Sequence, residues 1–359
     1  MLLTTVPGLE EVVVGELREM LPELLSKAEY RELTGRVYAE VERSVESLER
    51  LHSMKSIERV MLVAYERRVA PDSLPDEEEL ARELEILRAY LRPPMTFMVK
   101  AQRIGEHEYS SLDISRLVGG AVQSITESEV SLSDPDLVVH AEVVYDTMRI
   151  CIDLTGLHAL HKRGYKVYVH PSSLNPIIAH AMCRLAGVSS GDRVLDPMCG
   201  SGTILIECKL YARGVEAYGV DVDPAHLEGA ARNAARAGVG RLHLRVGDVL
   251  ELDSMFPEEF FDAVITNPPF GIRERSPYGI AALYRALVEK SSVVLKEGGR
   301  MCVLTPRRRT LCRLLEERGF ELERVVKVRH GGLTSCIIVG RKVNKSTREN
   351  SGRGDSACP

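Results

Sequence analysis

Two rhythms of apolar residues alternate along the second half of the chain. Short unbroken runs, such as Ala263-Val264-Ile265, fit strands buried on both faces, and longer stretches with apolar residues every three or four positions fit amphipathic helices. From about residue 174 this predicts a helix over 175–187, strand 193–196, helix 203–213, strand 216–221 and helix 224–237. Strands 242–246 and 262–266, helix 278–296, strand 300–305, helix 309–318 and strands 322–329 and 334–341 follow. Strands separated by helices of this length call for a parallel sheet covered on both faces. The short turn His330-Gly331-Gly332 reverses the chain, so the last of the seven strands runs antiparallel.

Upstream of a change in character near 165–190 the segments are shorter and mixed. Helical spacing appears over 8–20, 53–65 and 112–126, and strand patterns over 36–42, 96–102, 138–145 and 148–154, the last two flanking Asp146-Thr147. Pro71 and Pro75 beside an acidic cluster mark a loop or a helix start. The layout is α+β, with helices packed on largely antiparallel sheets.

With 359 residues and 44% hydrophobic content, the chain can bury a large core and is expected to form more than one domain. No apolar stretch approaches the roughly 20 residues needed to cross a bilayer, and Pro7, Glu10 and Glu11 interrupt any signal-like run after Met1. A soluble cytoplasmic monomer is the expectation. The cysteines at 151, 183, 199, 208, 302, 312, 336 and 358 contain no CxxC pair, so neither a metal site nor a disulfide framework is expected. Net charge is −5, yet no acidic residue lies between Asp153 and Asp192, where Lys162, Arg163, Lys166 and Arg184 fall. Such a stretch suits a phosphate backbone, or equally a solvated loop between domains.

Ligands of doubly wound sheets lie at strand carboxyl ends, and the candidate chemistry sits there. Gly200 and Gly202 let the chain turn tightly after the first strand, and the next helix begins at Thr203 with free amide donors. A dinucleotide site would want glycine at 205, where the chain has Leu205, which argues against nicotinamide. Asp221 ends the second strand, placed to accept from ribose hydroxyls, and Asp248 follows the third, placed to accept from an adenine amine. Asn267-Pro268-Pro269-Phe270 closes the fourth strand. An amide and a proline carbonyl held beside an aromatic ring can grip any planar amine: adenine, guanine or glutamine. Cys199 lies in the glycine turn with no second cysteine near Asn267, so a packing role is favoured over that of a covalent nucleophile.

The runs Asp196-Pro197-Met198-Cys199-Gly200-Ser201-Gly202-Thr203, Tyr218-Gly219-Val220-Asp221-Val222-Asp223 and Gly247-Asp248-Val249, with Asn267-Pro268-Pro269-Phe270, resemble the ordered motifs of class I S-adenosylmethionine-dependent methyltransferases that act on amines. Upstream, Arg103 to Ser111, Ile152 to Gly156 and His161 to Tyr165 are similar to THUMP-containing RNA-modifying enzymes, and His330-Gly331-Gly332 also occurs among them. As a whole the chain resembles the tRNA guanine-N2-methyltransferases, nearest the branch acting at guanosine 6. The resemblance implies a Rossmann-like methyltransferase domain over 191–342, an amino-terminal ferredoxin-like piece over 1–65, a THUMP RNA-binding piece over 66–165, a linker with the first helix over 166–190 and a disordered tail over 343–359.

It further implies S-adenosylmethionine as cofactor, held by Asp196, Cys199, Gly200, Ser201, Gly202, Thr203, Asp221, Val222, Asp248, Val249 and Asn267. Asn267, Pro268, Pro269 and Phe270 form the catalytic set, acting on a flipped-out nucleotide of a tRNA partner. Arg103, Lys162, Arg163, Lys166, Arg307, Arg308 and Arg309 are the expected RNA contacts. Guanosine 10 of tRNA, adenine in DNA, a protein glutamine and an inactive binding module remain as alternatives. An RNA module upstream disfavours the DNA and protein readings, and intact motifs disfavour the last.

Overall fold

The computed structural model describes residues 1–156, 158–170, 173–270 and 279–343. The tail expected beyond 343 and the first residue of the helix expected at 278–296 lie outside the described residues. The chain forms two compact units, one of residues 1–4, 16–30 and 36–160, the other of residues 5–15, 31–35 and 161 onward.

The first unit is built on one eight-stranded sheet. Its strands are β1 (Leu2–Thr4), β2 (Leu25–Tyr30), β3 (Arg36–Val41), β4 (Arg59–Arg68), β5 (Thr96–Ile104), β6 (Glu129–Val130), β7 (Leu137–Val144) and β8 (Thr147–Asp153), in the order β2-β3-β1-β4-β8-β7-β5-β6. The helices here are α1 (Glu10–Met20), whose first residues belong to the second unit, α2 (Val45–Ser53), α3 (Glu77–Glu83) and α4 (Ser111–Thr126). A reciprocal cap between Ser110 and Asp113 starts α4 and satisfies amides that no helical carbonyl reaches. The helix expected at 53–65 is instead the end of α2 followed by β4, because Val60-Met61-Leu62 lies between β1 and β8. Tertiary pairing overrides the local spacing.

In the second unit, α5 (Pro176–Leu185), β9 (Arg193–Asp196), α6 (Thr203–Tyr211), β10 (Glu216–Asp221), α7 (Pro224–Ala237), β11 (His243–Val246), α8 (Leu252–Met255) and β12 (Phe261–Thr266) alternate. α9 (Ile280–Val294), β13 (Leu295–Thr305), α10 (Arg308–Glu317), β14 (Phe320–His330) and β15 (Leu333–Lys342) complete it. The seven strands run β11-β10-β9-β12-β13-β15-β14, parallel except for β15, which is antiparallel to both neighbours as the tight turn requires. Buried side chains alternate between the faces: Ala263, Ile265, Leu304, Ile337 and Val339 join α5 and α6 in one core, and Val264, Val303 and Ile338 join α9 and α10 in the other.

Two features of this unit were not expected. Cys183 of α5 and Cys208 of α6 form a disulfide, with Cα atoms 5.5 Å apart. The two helices meet only in the folded unit, so no local spacing marks the pair. Pro7 and Gly8 lie along β14: the Arg329 amide donates to the Pro7 carbonyl at 2.9 Å, and a Cβ on Gly8 (φ +105°) would fall 1.9 Å from the Lys327 carbonyl oxygen. Main chain thereby covers an edge strand that would otherwise offer free pairing groups.

Candidate active site

A cavity of about 470 Å³ opens at the carboxyl ends of the second sheet. Its first half is made by the glycine turn between β9 and α6. Gly200 (φ +50°) and Gly202 (φ +76°) adopt left-handed backbone that disfavours side chains, and the Gly202 amide closes the turn on the Cys199 carbonyl at 2.8 Å. A Cβ at Gly200 would meet nothing within 4 Å, so its absence leaves main chain open to a ligand, whereas one at Gly202 would fall 2.9 Å from Ala230. Leu205 is fully buried in the core, where it touches the space left by Gly219. That packing explains why a glycine is not needed there.

Asp196, Cys199, Gly200, Ser201, Thr203, Asp221, Val222, Asp248 and Val249 all line the cavity; Gly202 does not, and serves the turn. Asp221 binds the turn directly, its Oδ2 accepting the Gly200 amide at 2.8 Å while Oδ1 accepts the Asp223 amide at 3.0 Å and meets His226 Nδ1 at 3.1 Å. Asp248 caps the next turn by accepting the Leu250 amide at 3.0 Å. Burial, with the negative charge of Asp221 adding to it, raises the Asp196 carboxyl to about 7. Burial and then the charges of Asp196 and Asp221 push the Cys199 thiol well up, which suits a lining residue and opposes a thiolate nucleophile.

The second half of the cavity is made by Asn267, Pro268, Pro269 and Phe270, with Leu304 near the end of β13 and residues of the β14–β15 hairpin. Asn267 follows Ala263 and Ile265 in the two-residue alternation of β12. Its Oδ1 is buried and accepts no hydrogen bond among the described residues. A buried acceptor left unpaired costs about 1–3 kcal/mol, and a donor brought by a ligand would recover it. Phe270 packs against the first core and lines the cavity beside it.

The residue patterns missed a strap over residues 161–170 and the two residues 173 and 174 beside it. Its Tyr168 amide donates to Asn233 Oδ1 at 2.8 Å, and Asn233 Nδ2 donates to the Tyr168 and Ser201 carbonyls at 2.9 and 3.0 Å. Ser173 and Ser201 hydroxyls lie 2.8 Å apart, and the His170 ring meets His226 edge-on at 4.4 Å. The asparagine lies in the middle of α7 with no distinguishing neighbours, so sequence gave no signal for its three bonds.

The basic residues divide. Arg163 is turned inward, its Nε donating to fully buried Glu207 at 3.1 Å beside the Tyr165 hydroxyl at 2.7 Å. Lys166 Nζ donates to the Leu174 carbonyl at 2.9 Å, and burial lowers its ammonium to about 8. Both cations hold the strap in place of a phosphate. Arg307 and Arg309 are exposed, Arg308 is half-buried, and Lys162 is exposed. Arg103 is exposed on β5 of the first unit, with Nη1 at 3.5 Å from the His107 carbonyl.

Residues 76–153 match the THUMP domain family, and residues 163–335 match the family described as RMKL-like, methyltransferase domain. A protein of Archaeoglobus fulgidus named tRNA (guanine(6)-N2)-methyltransferase is 31% identical over 368 residues, spanning 94% of this chain and 90% of its own length. The chain belongs to the tRNA (guanine(6)-N2)-methyltransferase family. Within that family's folds, the crystal structure of TrmN from Thermus thermophilus superposes with a TM-score of 0.80 at 29% identity, covering 95% of this chain and 99% of that one. A tRNA (guanine(10)-N2)-dimethyltransferase of Methanothermobacter thermautotrophicus is 30% identical, but over 75% of this chain and 79% of its own. The Rossmann-like methyltransferase sheet and the upstream THUMP domain expected of this family are both present. Among the described residues no helix is long and apolar enough to cross a membrane, and no group of acidic, histidine or cysteine side chains is arranged to hold a metal.

Proposed function

We propose that this protein transfers a methyl group from S-adenosylmethionine to the exocyclic N2 amine of a tRNA guanosine, at position 6. The buried Oδ1 of Asn267, unpartnered within the rigid Pro268-Pro269 frame, is the observation that carries the reading. Position 6 is favoured over 10 because the guanosine-6 relative aligns along nearly the whole of both chains. When bound, the cofactor supplies an electrophilic sulfonium methyl group.

The residues of the first half fit that group. Open main chain at Gly200, the carboxylate of Asp221 with lone pairs to spare for ribose hydroxyls, and Asp248 within reach of an adenine amine form its donor and acceptor set, with Asp196, Cys199, Ser201, Thr203, Val222 and Val249 completing the lining. In the second half, Asn267 Oδ1 and the Pro268 carbonyl accept from the guanine amine and turn its lone pair toward the methyl group. Their acceptance strengthens as nitrogen gains positive charge in the transition state. Prolines at 268 and 269 fix both acceptors in advance. Alignment of this kind lowers a barrier by roughly 7–11 kcal/mol, so no strong base is required. Phe270 offers a stacking face to the flipped base.

Arg307, Arg308, Arg309, Lys162 and Arg103 supply phosphate contacts in this proposal, and Arg163 and Lys166 act on the strap. The parts are an amino-terminal ferredoxin-like piece (1–65), a THUMP piece (66–165), the linker with α5 (166–190), the methyltransferase piece (191–342) and the tail (343–359), acting as a cytoplasmic monomer. The test is to incubate purified protein and labelled S-adenosylmethionine with unmodified tRNA transcripts and map the product by nuclease digestion and mass spectrometry. N2-methylguanosine at position 6 is expected. Label on DNA or protein and never on tRNA would sink the assignment.

A further inference from the structure

An asparagine and a proline carbonyl grip an amine without reading the base that bears it. The other wall of the second half-cavity is the β14–β15 hairpin, from which Val328, His330, Gly331, Leu333 and Ser335 line the same space. Gly331 (φ +59°) and Gly332 (φ +78°) give the two central residues of this turn positive φ, and His330 pairs with Leu333 across it, so the wall is stiff. Ser335 is 7% exposed, lines the cavity and takes no side-chain partner among the described residues.

Strand register places Asn267 level with Leu304 and Ile337, and Ser335 lies two residues beyond Ile337 on the cavity side. Ile337 and Val339 lie in the same core as Ala263 and Ile265, and Ser335 and Asn267 continue those two alternations toward the carboxyl ends. Both side chains therefore stand on one face. Thr266 pairs with Val303 on β13, and Val303 with Ile338 on β15, which puts β15 two strands from β12. Two interstrand spacings of about 10 Å, combined with a two-residue offset of about 6.6 Å along the strand, put the two positions about 12 Å apart. Their side chains reach toward each other over the cavity, which leaves room for a purine with a hydrogen bond of about 2.9 Å at either side.

We propose that Ser335 is a specificity-determining residue that donates its hydroxyl to O6 of the guanine held by Asn267, with His330 closing the same edge. The assignment rests on the guanine-N2 reading above and extends it to the rest of the base. Adenine, gripped by its own amine, has no carbonyl to offer there, and 2-aminopurine keeps the N2 amine but lacks O6. A site that hydrogen-bonds a substrate group discriminates against an analogue without it.

The test compares kcat/KM on tRNA carrying guanosine or 2-aminopurine at the target position, for the wild type, Ser335→Ala, Ser335→Thr and His330→Ala. Intrinsic differences in amine reactivity cancel when the guanosine to 2-aminopurine ratio of a variant is divided by that of the wild type. Ser335→Ala is expected to lower this ratio roughly three- to tenfold, the range for losing one hydrogen bond, while Ser335→Thr restores it. Affinity for S-adenosylhomocysteine is expected to stay at the wild-type value in both. An unchanged ratio in Ser335→Ala overturns the proposal alone, as does a loss of S-adenosylhomocysteine affinity that accounts for the whole effect. Wild-type protein that leaves the guanosine N2 amine unmethylated overturns the underlying activity and this inference together.

Discussion

In the proposed reaction Asn267 concentrates the chemistry in one atom. Asn267→Ala is expected to cut turnover by about 10²- to 10³-fold, the range for removing one group aimed at developing charge, with tRNA affinity retained. Filter binding beside single-turnover kinetics separates the two effects, and equal losses in both would contradict the assignment. Asp196 gives a second handle. Its folded-state carboxyl is raised to about 7 by burial, so the neutral form favours the fold; that stability is complete below the usual carboxylate range and is lost as pH rises from about 4 to 7. Thermal unfolding of the ligand-free protein should show this slope, and Asp196→Asn should flatten it. A steeper fall in the variant would assign the effect elsewhere. That Asn267 and Asp196 would line one cavity was legible in the sequence because each stands at the carboxyl end of a strand in a fixed order of motifs. Asn233 and Ser335 were not, since a helix interior and a strand start look alike whether or not a cavity lies beside them. Arg163 and Lys166 were misread for a related reason: charge is visible in a sequence, but its buried partner, Glu207, sits 44 residues from Arg163.

Among the elements, the β/α alternation of the second unit was readable almost throughout because strand and helix periods are distinct and the strands are buried on both faces. β4 was not, since its register depends on β1 and β8, which come from distant parts of the chain. The disulfide between α5 and α6 closes a segment with a sequence separation of 25. A loop of this size is worth about 3 kcal/mol through restriction of the unfolded chain. Reduction, or Cys183→Ala with Cys208→Ala, should lower the midpoint of denaturant unfolding accordingly. A midpoint unmoved by reductant would show that the bond does not contribute. Gly8→Ala should be more severe, since the added methyl meets a backbone carbonyl at 1.9 Å in left-handed backbone. Here the comparison with Gly15→Ala is informative, because a Cβ at that position has only the tip of Arg184, at 3.6 Å, nearby.

For the molecule as a whole, net charge is −5 and the proposed substrate is a polyanion, so local clusters must supply the attraction. Arg307 is exposed just past β13, its amide donating to Thr305 Oγ1 at 2.9 Å. Arg307→Ala should weaken tRNA binding and lower the slope of log affinity against log salt by about 1, with kcat at saturating tRNA little changed. An unaltered salt slope would remove Arg307 from the phosphate contacts. The loop at Pro7 and Gly8 has a consequence for how the protein is made. Its partner, Arg329, lies 322 residues further along the chain, so the loop cannot dock until that whole intervening stretch has been made. Contacts so distant in sequence carry a high loop-closure cost and form slowly. Until they form, the β14 edge stands bare, and newly made chains carrying Gly8→Ala should accumulate as strand-paired aggregates in place of a working second unit.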